Sequence, residues 1–282
     1  MRWSERLGTV GVWRGFTAVD PALARTVEEL GFGTLWQGST PTSDLRAAED
    51  LLDATESLVV ATGVVNIWMS DPAELADSYH RIQAEYPGRL LVGIGSGHRE
   101  ATPQRVRPLE AMSAYLDVLD ERGVPVEDRL LSALGPRMLA MAGERSAGTH
   151  PYLSVASQTR EQRALLGPGA LIAPEQTVVL DGDPRSARRT AREFLHLYLG
   201  LVNYTSTMQR AGFTAADVAD GGSDALVDAI VAHGDAAALA AAVRAHLDAG
   251  ADHVCVQVQP ASGDITAALR AMAAELALPS RG

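Results

Sequence analysis

Apolar runs alternate with helical patterns along the whole chain. Eight strand-like runs, most of them continuously apolar, cover residues 6–13, 33–38, 58–66, 88–95, 129–135, 151–156, 171–180 and 252–260. Continuous apolar runs are typical of parallel strands that are buried on both faces. Because helical stretches separate these runs, the pattern predicts repeated strand–helix units.

The clearest helical pattern covers residues 71–86, where apolar residues recur at spacings of three and four from Leu75 onward. This spacing predicts a helix with one apolar face. Asp71 is a suitable N-cap, Pro72 suits the first helical position, and Glu74 completes a capping-box pattern. The sequence therefore predicts a well-capped helix that follows the third strand.

Eight strand–helix units without a break in composition predict one α/β domain over residues 1–282, a (β/α)8 TIM barrel. The alternative is a doubly wound open sheet, but such sheets usually have fewer parallel strands. Residues 203–233 contain helical patterns and no good strand, so they predict a helical insertion before strand eight. In a barrel, the active site lies at the C-terminal ends of the strands.

Composition narrows the classes of partner. The chain has 24 basic and 35 acidic residues and a net charge of −11, which disfavours nucleic acid and anionic membranes. It contains no lysine, which excludes Schiff-base chemistry and a Walker A loop, and its single cysteine excludes an internal disulfide. The N-terminus lacks a signal-peptide apolar region and no run reaches membrane-spanning length. We therefore expect a cytoplasmic protein that acts on a small molecule.

The fourth strand ends in a glycine-rich stretch, "GRLLVGIGSGH" at residues 88–98. Its glycine spacing does not match the dinucleotide fingerprint G-x-G-x-x-G. The glycines still allow a ligand to approach the backbone, and Ser96 adds a hydroxyl beside Gly97. Both interpretations remain open at this point: a ligand wall, or a strand that needs small residues where a helix packs.

Two other strand ends carry polar candidates. Asn66 follows strand three and can both donate and accept hydrogen bonds toward a planar ring. After strand five, Gly135 and Pro136 begin a helix with Arg137 in its first turn, a combination that favours an anion such as a phosphate. An ordinary helix start is the alternative interpretation.

Acid–base candidates are few. His150 and Tyr152 are the one clustered imidazole and phenol near a predicted site, and they are our candidate catalytic residues. The alternative is that His150 holds a loop by bonding to the backbone. Glu175 lies inside an apolar strand, where a carboxylate needs a partner, and we expect a histidine or an arginine to supply it. Cys255 is expected to be a buried packing residue.

The segment at residues 61–98 resembles the luciferase-like superfamily, specifically its coenzyme F420-dependent oxidoreductases. Further similar pieces are found at residues 28–36, 133–152, 171–180 and 246–260. The resemblance implies a (β/α)8 barrel with F420, or alternatively FMN, at the C-terminal ends of the strands. It also implies a cis peptide at Gly63-Val64 that backs the cofactor ring.

By the same resemblance, other matching residues contribute to the cofactor site. Asn66 would contact the ring, Ser96 and Gly97 would line the cofactor, and the turn formed by Leu134, Gly135, Pro136 and Arg137 would approach its phosphate. We expect the outer wall of the substrate pocket to come from Trp13, Trp36, Trp68, Tyr152 and the insertion at residues 203–233.

One departure from the family's pattern concerns the end of strand two. Several F420-dependent dehydrogenases carry an acidic residue and a histidine there, whereas residues 36–39 read Trp-Gln-Gly-Ser. The resemblance therefore favours reduction of an activated C=C or C=N bond by F420H2, which places less demand on a base.

The alternatives are an FMN-dependent monooxygenase of the same superfamily and a non-catalytic cofactor-binding barrel. The family also favours a homodimer, which the alanine-rich helix at residues 235–250 could support. The plain interpretation of that helix is that it packs on its own barrel.

Overall fold

The strands form one parallel sheet. The structure is a computed structural model that describes residues 2–39, 42–98 and 107–280. Its strands, in chain order, are β1 (Val10–Gly15), β2 (Thr34–Gly38), β3 (Val59–Gly63), β4 (Val65–Asn66), β5 (Leu90–Gly95), β6 (Arg129–Leu131), β7 (Gly148–Thr149), β8 (Leu171–Ile172), β9 (Glu175–Leu180), β10 (Val231–Gly234) and β11 (Val254–Val258).

Helices connect successive strands. They are α1 (Trp3–Arg6), α2 (Pro21–Glu29), α3 (Arg46–Asp53), α4 (Pro72–Glu85), α5 (Pro108–Glu121), α6 (Pro136–Arg145), α7 (Ala156–Leu166), α8 (Pro184–Tyr198), α9 (Val202–Arg210), α10 (Asp224–Ile230), α11 (Ala236–Asp248) and α12 (Thr266–Glu275), with 3₁₀ turns at Phe16–Ala18 and Val126–Asp128.

The sheet closes into a barrel. Its order is β10-β9-β11-β1-β2-β3-β5-β6-β7-β8, with β4 paired to β5. Strands β8 and β9 are two parts of one extended run, and the Leu171 amide donates to the Ala147 carbonyl on one side while Pro174 accepts from the Cys255 amide on the other. The two ends of the sheet therefore meet along this run, which confirms the predicted (β/α)8 barrel.

Two apolar layers fill the fold. Side chains such as Val12 and Leu35 pack between the sheet and the surrounding helices. The second layer receives residues from successive strands, including Trp13, Trp36 and Cys255, and so lies inside the barrel. Because successive residues of a strand point to opposite faces, β1 contributes to both layers. Cys255 is fully buried, as predicted.

Helix α4 confirms the helix predicted after strand three. The Asp71 carboxylate accepts from the amides of Ala73 and Glu74 at 2.8 and 3.0 Å. The capping-box prediction for Glu74 is wrong, because its carboxylate accepts instead from the Ser43 hydroxyl at 2.5 Å. Glu74 therefore ties the helix start to the loop that follows β2.

Two predicted strand positions need correction. The sixth strand is β7 at Gly148–Thr149 rather than residues 151–156, because Pro151 has no amide proton to extend the ladder and Leu153 turns the chain with a φ of +54°. The insertion before the last strand is mostly helical, as predicted, but it ends in the strand β10, which pairs with β9.

Helix α11 packs on its own barrel through the buried residues Leu239, Ala240 and Val243. Within residues 2–39, 42–98 and 107–280, no helix has the length and apolarity needed to cross a membrane.

Candidate functional site

A cavity of about 790 Å³ opens at the C-terminal ends of the strands. This is the end of a barrel at which active sites are built. Most of the residues predicted for the site line this cavity, namely Trp13, Gly63, Val64, Asn66, Ser96, Gly97, Leu134, Gly135, Pro136, Arg137, His150 and Tyr152. The barrel therefore brings together segments that are far apart in sequence, and the functional roles of these residues stay predictions.

Two of the predicted pocket tryptophans do not line the cavity, and their assignment is corrected. Trp36 is fully buried in the barrel interior, where its Nε1 donates to His253 Nε2 at 3.0 Å. Trp68 lies beside the core, and its Nε1 donates to the Ser96 carbonyl at 2.9 Å. Trp68 therefore supports the glycine-rich segment from behind rather than facing a ligand.

The peptide bond between Gly63 and Val64 is cis, as the family resemblance implies. It separates β3 from β4, and the Val64 amide donates to the Ser39 carbonyl at 3.2 Å. After this peptide, β4 places Asn66 beside Gly95 of β5. The ends of β2, β3 and β5 therefore meet at one wall of the cavity.

The glycines of this wall leave no room for side chains. A Cβ added at Gly95 would lie 2.5 Å from Cγ2 of Val64, and one at Gly97 would lie 2.7 Å from Nδ2 of Asn66. Gly97 also has a φ of +55°, which favours glycine. The wall therefore presents backbone to the cavity, which is the arrangement that a closely stacked planar ligand requires.

Helix α6 begins at the cavity without a side-chain cap. Its N-cap residue is Gly135, and a Cβ at that position would meet nothing within 4 Å. The first-turn amides after Pro136 have no side-chain acceptor, and Arg137 in the same turn is exposed. Uncapped amides, the helix dipole and a guanidinium together favour a bound anion.

His150 is held by the backbone. Its Nδ1 lies 2.7 Å from the Ala173 carbonyl, so Nδ1 carries the proton and Nε2 is left as an acceptor. The ring stacks on Trp36 with 4.3 Å between centroids. Burial lowers the pKa of His150 to about 4, so the ring is neutral at neutral pH. These contacts match the loop-holding alternative for His150.

Tyr152 belongs to a chain of hydroxyls. Its hydroxyl donates to Gln257 Oε1 at 2.7 Å and lies 3.0 Å from the Tyr198 hydroxyl. Tyr198 and Tyr204 line the cavity as well and were not predicted as site residues. The signal available in the sequence was the recurrence of aromatic residues in the segment before the last strand.

The fold and the geometry of the cavity can be compared with known proteins. Residues 20–121 match the luciferase-like monooxygenase family model. The predicted resemblance to the luciferase-like superfamily is thereby confirmed. No curated protein matches the sequence significantly.

Solved structures share this fold. An F420-dependent secondary alcohol dehydrogenase in complex with an F420–acetone adduct superposes with a TM-score of 0.74 and 14% identity, covering 97% of this chain and 99% of that one. The coenzyme F420-dependent tetrahydromethanopterin reductase from Methanopyrus kandleri gives 0.69 and 16%, covering 97% and 100%.

A flavin-dependent protein is similar too. The oxygenating constituent of 3,6-diketocamphane monooxygenase from Pseudomonas putida, in complex with FMN, gives a TM-score of 0.68 and 14% identity, covering 97% of this chain and 100% of that one. Because all these identities are low, the comparison establishes the fold. The structural neighbours of this barrel therefore include F420-dependent enzymes and a monooxygenase in complex with FMN.

Behind the cavity, Glu175 has no cationic partner among the described residues. Its carboxyl oxygens accept from the Thr177 hydroxyl at 2.5 Å and from the Leu153 amide at 3.3 Å. The prediction of a histidine or arginine partner is therefore wrong. Burial raises the pKa of Glu175 to about 8, so the carboxyl is mostly protonated at neutral pH. A protonated carboxyl avoids the cost of an unpaired buried charge.

Among the residues that the structure describes, no cluster of histidine, cysteine, aspartate or glutamate is arranged to hold a metal ion.

Proposed function

We propose that this protein is an F420-dependent oxidoreductase that uses F420H2 to reduce an activated C=C or C=N bond of a small molecule. The observation that carries the proposal is the cavity at the strand ends, which joins a backbone wall around the cis peptide Gly63-Val64 to the uncapped start of α6. Its neighbours in structure include two F420-dependent enzymes.

The residues present fit a deazaflavin or flavin. Gly95 and Gly97 keep the wall flat, since any added side chain would collide with Val64 or Asn66. Asn66 offers an amide beside this wall. The residues that would hold the ring are therefore Gly63, Val64, Asn66, Ser96 and Gly97.

The phosphate end would lie at the turn from Leu134 to Arg137. The uncapped amides of α6 can donate to phosphate oxygens, and Arg137 can pair with the charge. When bound, reduced F420 supplies a hydride, so the protein's own task is to bind, orient and provide a proton.

The direction of reaction follows from the acid–base groups. At the end of β2, Ser39 lines the cavity where several F420-dependent dehydrogenases carry a base. His150 is neutral because burial lowers its pKa to about 4, so it is a weak base for alcohol oxidation. A tyrosine hydroxyl or water is enough to protonate the product of a reduction, which supports the reductase over the dehydrogenase.

The experiment is a fluorescence titration of the protein with F420 and, in parallel, with FMN. We expect saturable binding of F420 and weaker binding of FMN. Arg137→Gln should weaken F420 binding on the order of tenfold, because it removes a charge-assisted contact. The matched control is Arg25→Gln, since Arg25 is exposed on α2 and is not among the cavity residues.

The other outcomes of the titration would support one of the alternative functions or overturn the proposal. Preference for FMN, with oxygen consumed on reduction, would support the monooxygenase and overturn the F420 proposal. Binding of neither cofactor would overturn both. Binding of F420 without oxidation of F420H2 across a panel of enones, quinones and imines would support the non-catalytic barrel instead.

A further inference from the structure

Four aromatic rings form one continuous side of the cavity, which we call the aromatic wall: Trp13, Tyr152, Tyr198 and Tyr204. The ring centroids of Trp13 and Tyr152 lie 5.3 Å apart, those of Tyr152 and Tyr198 5.5 Å, and those of Tyr198 and Tyr204 5.2 Å. The contacts link β1, the loop after β7, and helices α8 and α9. Aromatic surfaces of this kind bind flat apolar ligands through large contact areas.

The aromatic wall carries no charge. Among the described residues that line the cavity, the arginines and acidic groups are Arg107, Glu110 and Arg137, all at the starts of α5 and α6. Arg107 and Glu110 already pair with each other at 3.1 Å. The buried groups behind the wall are the amide of Gln257 and the carboxyl of Glu175, which is neutral at neutral pH.

The three tyrosine hydroxyls of the wall differ in how they are used. Tyr152 donates to Gln257, so the 3.0 Å contact between the two hydroxyls requires Tyr198 to donate to Tyr152. Neither hydroxyl proton is therefore available to a ligand. Tyr198 still has lone pairs with which to accept a hydrogen bond.

Tyr204 differs from the other two. Its hydroxyl has no hydrogen-bond partner among the described residues, and although the residue is 5% exposed, the oxygen is not sealed from the cavity. Burial raises the pKa of Tyr204 well above its usual range, so the hydroxyl keeps its proton. Tyr204 is thus the hydroxyl of the wall whose proton is available to a ligand.

We propose that the site selects a neutral, ring-bearing carbonyl compound, with the ring packed on the aromatic wall and the carbonyl oxygen accepting a hydrogen bond from Tyr204. The proposal rests on the proposed function, because a carbonyl conjugated to a C=C bond is what activates that bond toward a hydride. Tyr204 is then a specificity-determining residue. A carboxylate at this position would lose its hydration, and the ring beside Tyr204 is the imidazole of His98 rather than a guanidinium, so a carboxylate should bind more weakly than a neutral carbonyl.

The test uses three bicyclic ring probes: 1-tetralone; tetralin, which lacks the carbonyl; and 1-naphthoate, which is anionic and fully aromatic. Their binding is measured by calorimetry and by ligand-observed NMR. Wild-type protein should bind 1-tetralone about three- to tenfold more tightly than tetralin, as one neutral hydrogen bond provides. It should bind 1-naphthoate more weakly than 1-tetralone.

Tyr204→Phe should bind tetralin unchanged and lose the preference for 1-tetralone. Tyr198→Phe should keep that preference, because the Tyr198 proton is donated to Tyr152. The matched control is Tyr86→Phe, whose hydroxyl contacts Asp53 outside the cavity. A preference for 1-tetralone that persists in Tyr204→Phe, or tighter binding of 1-naphthoate, would overturn the inference.

Titration of the wild-type protein with F420, read beside its preference among the ring probes, separates this inference from the proposed function. If wild-type protein binds F420 but shows no preference for 1-tetralone, the substrate class is wrong and the F420 proposal stands. If F420 does not bind but the preference depends on Tyr204, the ring site stands and the F420 proposal fails.

Discussion

Tyr198 donates its hydroxyl proton to Tyr152, across 3.0 Å. The direction is set by Gln257, whose Oε1 can only accept and already accepts the hydrogen bond of the Tyr152 hydroxyl, with 2.7 Å between the two oxygens. The two phenols are therefore not equivalent: Tyr152 orients the pair, and Tyr198 faces the cavity with an acceptor oxygen. The orientation of a hydroxyl in the site depends on a glutamine in the last strand of the barrel.

The hydrogen bonds from Tyr198 to Tyr152 and from Tyr152 to Gln257 predict unequal losses of stability when the two hydroxyls are removed one at a time. Tyr152→Phe leaves the buried Gln257 oxygen without its donor and Tyr198 without its acceptor, so the free energy of unfolding should fall by about 1–3 kcal/mol. Tyr198→Phe leaves the contact between Tyr152 and Gln257 intact and should cost less than about 1 kcal/mol. Urea denaturation measures the free energy of unfolding of both variants. Equal losses would contradict the assignment of Tyr198 as the donor to Tyr152.

The neutral carboxyl of Glu175 predicts a loss of stability at mildly alkaline pH. Its pKa is raised to about 8 in the folded protein, against an ordinary value of 4.5 when the chain is unfolded. Between these values the unfolded state releases a proton that the folded state keeps, so stability falls as the pH rises and levels off above about 8. From pH 6.5 to 8 the loss should be about 1–2 kcal/mol.

Glu175→Gln is the matched variant, because its neutral amide resembles the protonated carboxyl. Urea denaturation at several pH values should show a smaller loss for the variant than for the wild-type protein between pH 6.5 and 8. Identical slopes would mean that Glu175 is ionised in the folded state.

Buried histidines predict the opposite trend in acid. Burial lowers the pKa values of His150, His246 and His253 to about 4, below their ordinary value of 6.5. Their contribution to stability is complete above pH 6.5 and is lost as the pH falls toward 4. Glu175→Gln should lose more stability than the wild-type protein over this range, because the wild-type carboxyl gains stability as the pH falls toward 4.5 and the amide does not. A variant that replaces His246 with glutamine should lose less.

The uncapped start of α6 predicts a change that separates stability from ligand binding. Gly135→Asp would cap the helix and should leave the free energy of unfolding unchanged or raise it by up to about 1 kcal/mol. The same carboxylate would repel a phosphate, so F420 or FMN should bind at least several-fold more weakly. Gly135→Ala is the control, since a Cβ there meets no atom within 4 Å. Unchanged cofactor affinity in Gly135→Asp would remove α6 from the site.

Trp13 predicts a steric requirement at Gly38. A Cβ at Gly38 would overlap the Trp13 indole, so Gly38→Ala should cost about 1–3 kcal/mol and displace a ring of the aromatic wall. Gly182→Ala is the control because Gly182 is exposed and a Cβ there meets nothing within 4 Å. Melting temperatures compare the two variants, and an equal small effect would show that Trp13 can move freely.

The barrel could be predicted because the strand–helix pattern is repeated along the chain. The bounds of individual strands, by contrast, depended on local chemistry. The run at residues 151–156 has the composition of a strand, but the missing amide proton of Pro151 ends the ladder at Thr149. The short strand β10 follows α10 directly, so no turn residue in the sequence marks its beginning.

In the candidate site, too, some residues could be predicted from the fold, whereas others depended on local structure. Residues at strand ends, such as Asn66 and Gly97, were found because the fold places all strand ends together. Trp36 was assigned to the pocket from its residue type, but strand alternation turns it into the barrel interior. The insertion at residues 203–233 was expected to form part of the pocket's outer wall, and its residue Tyr204 lines the cavity, but nothing in the sequence singled out Tyr204 itself.

The pairing of β1 with β11 has a consequence for the order of events during synthesis. Val10 and Val254 are partners in neighbouring strands although 244 positions separate them along the chain. On the ribosome, one edge of β1 therefore stays unpaired until β11 has been translated. Until then the barrel is incomplete, and the strands already made must stay soluble. Such distant partners make folding slow, and the interval favours assistance by a chaperone.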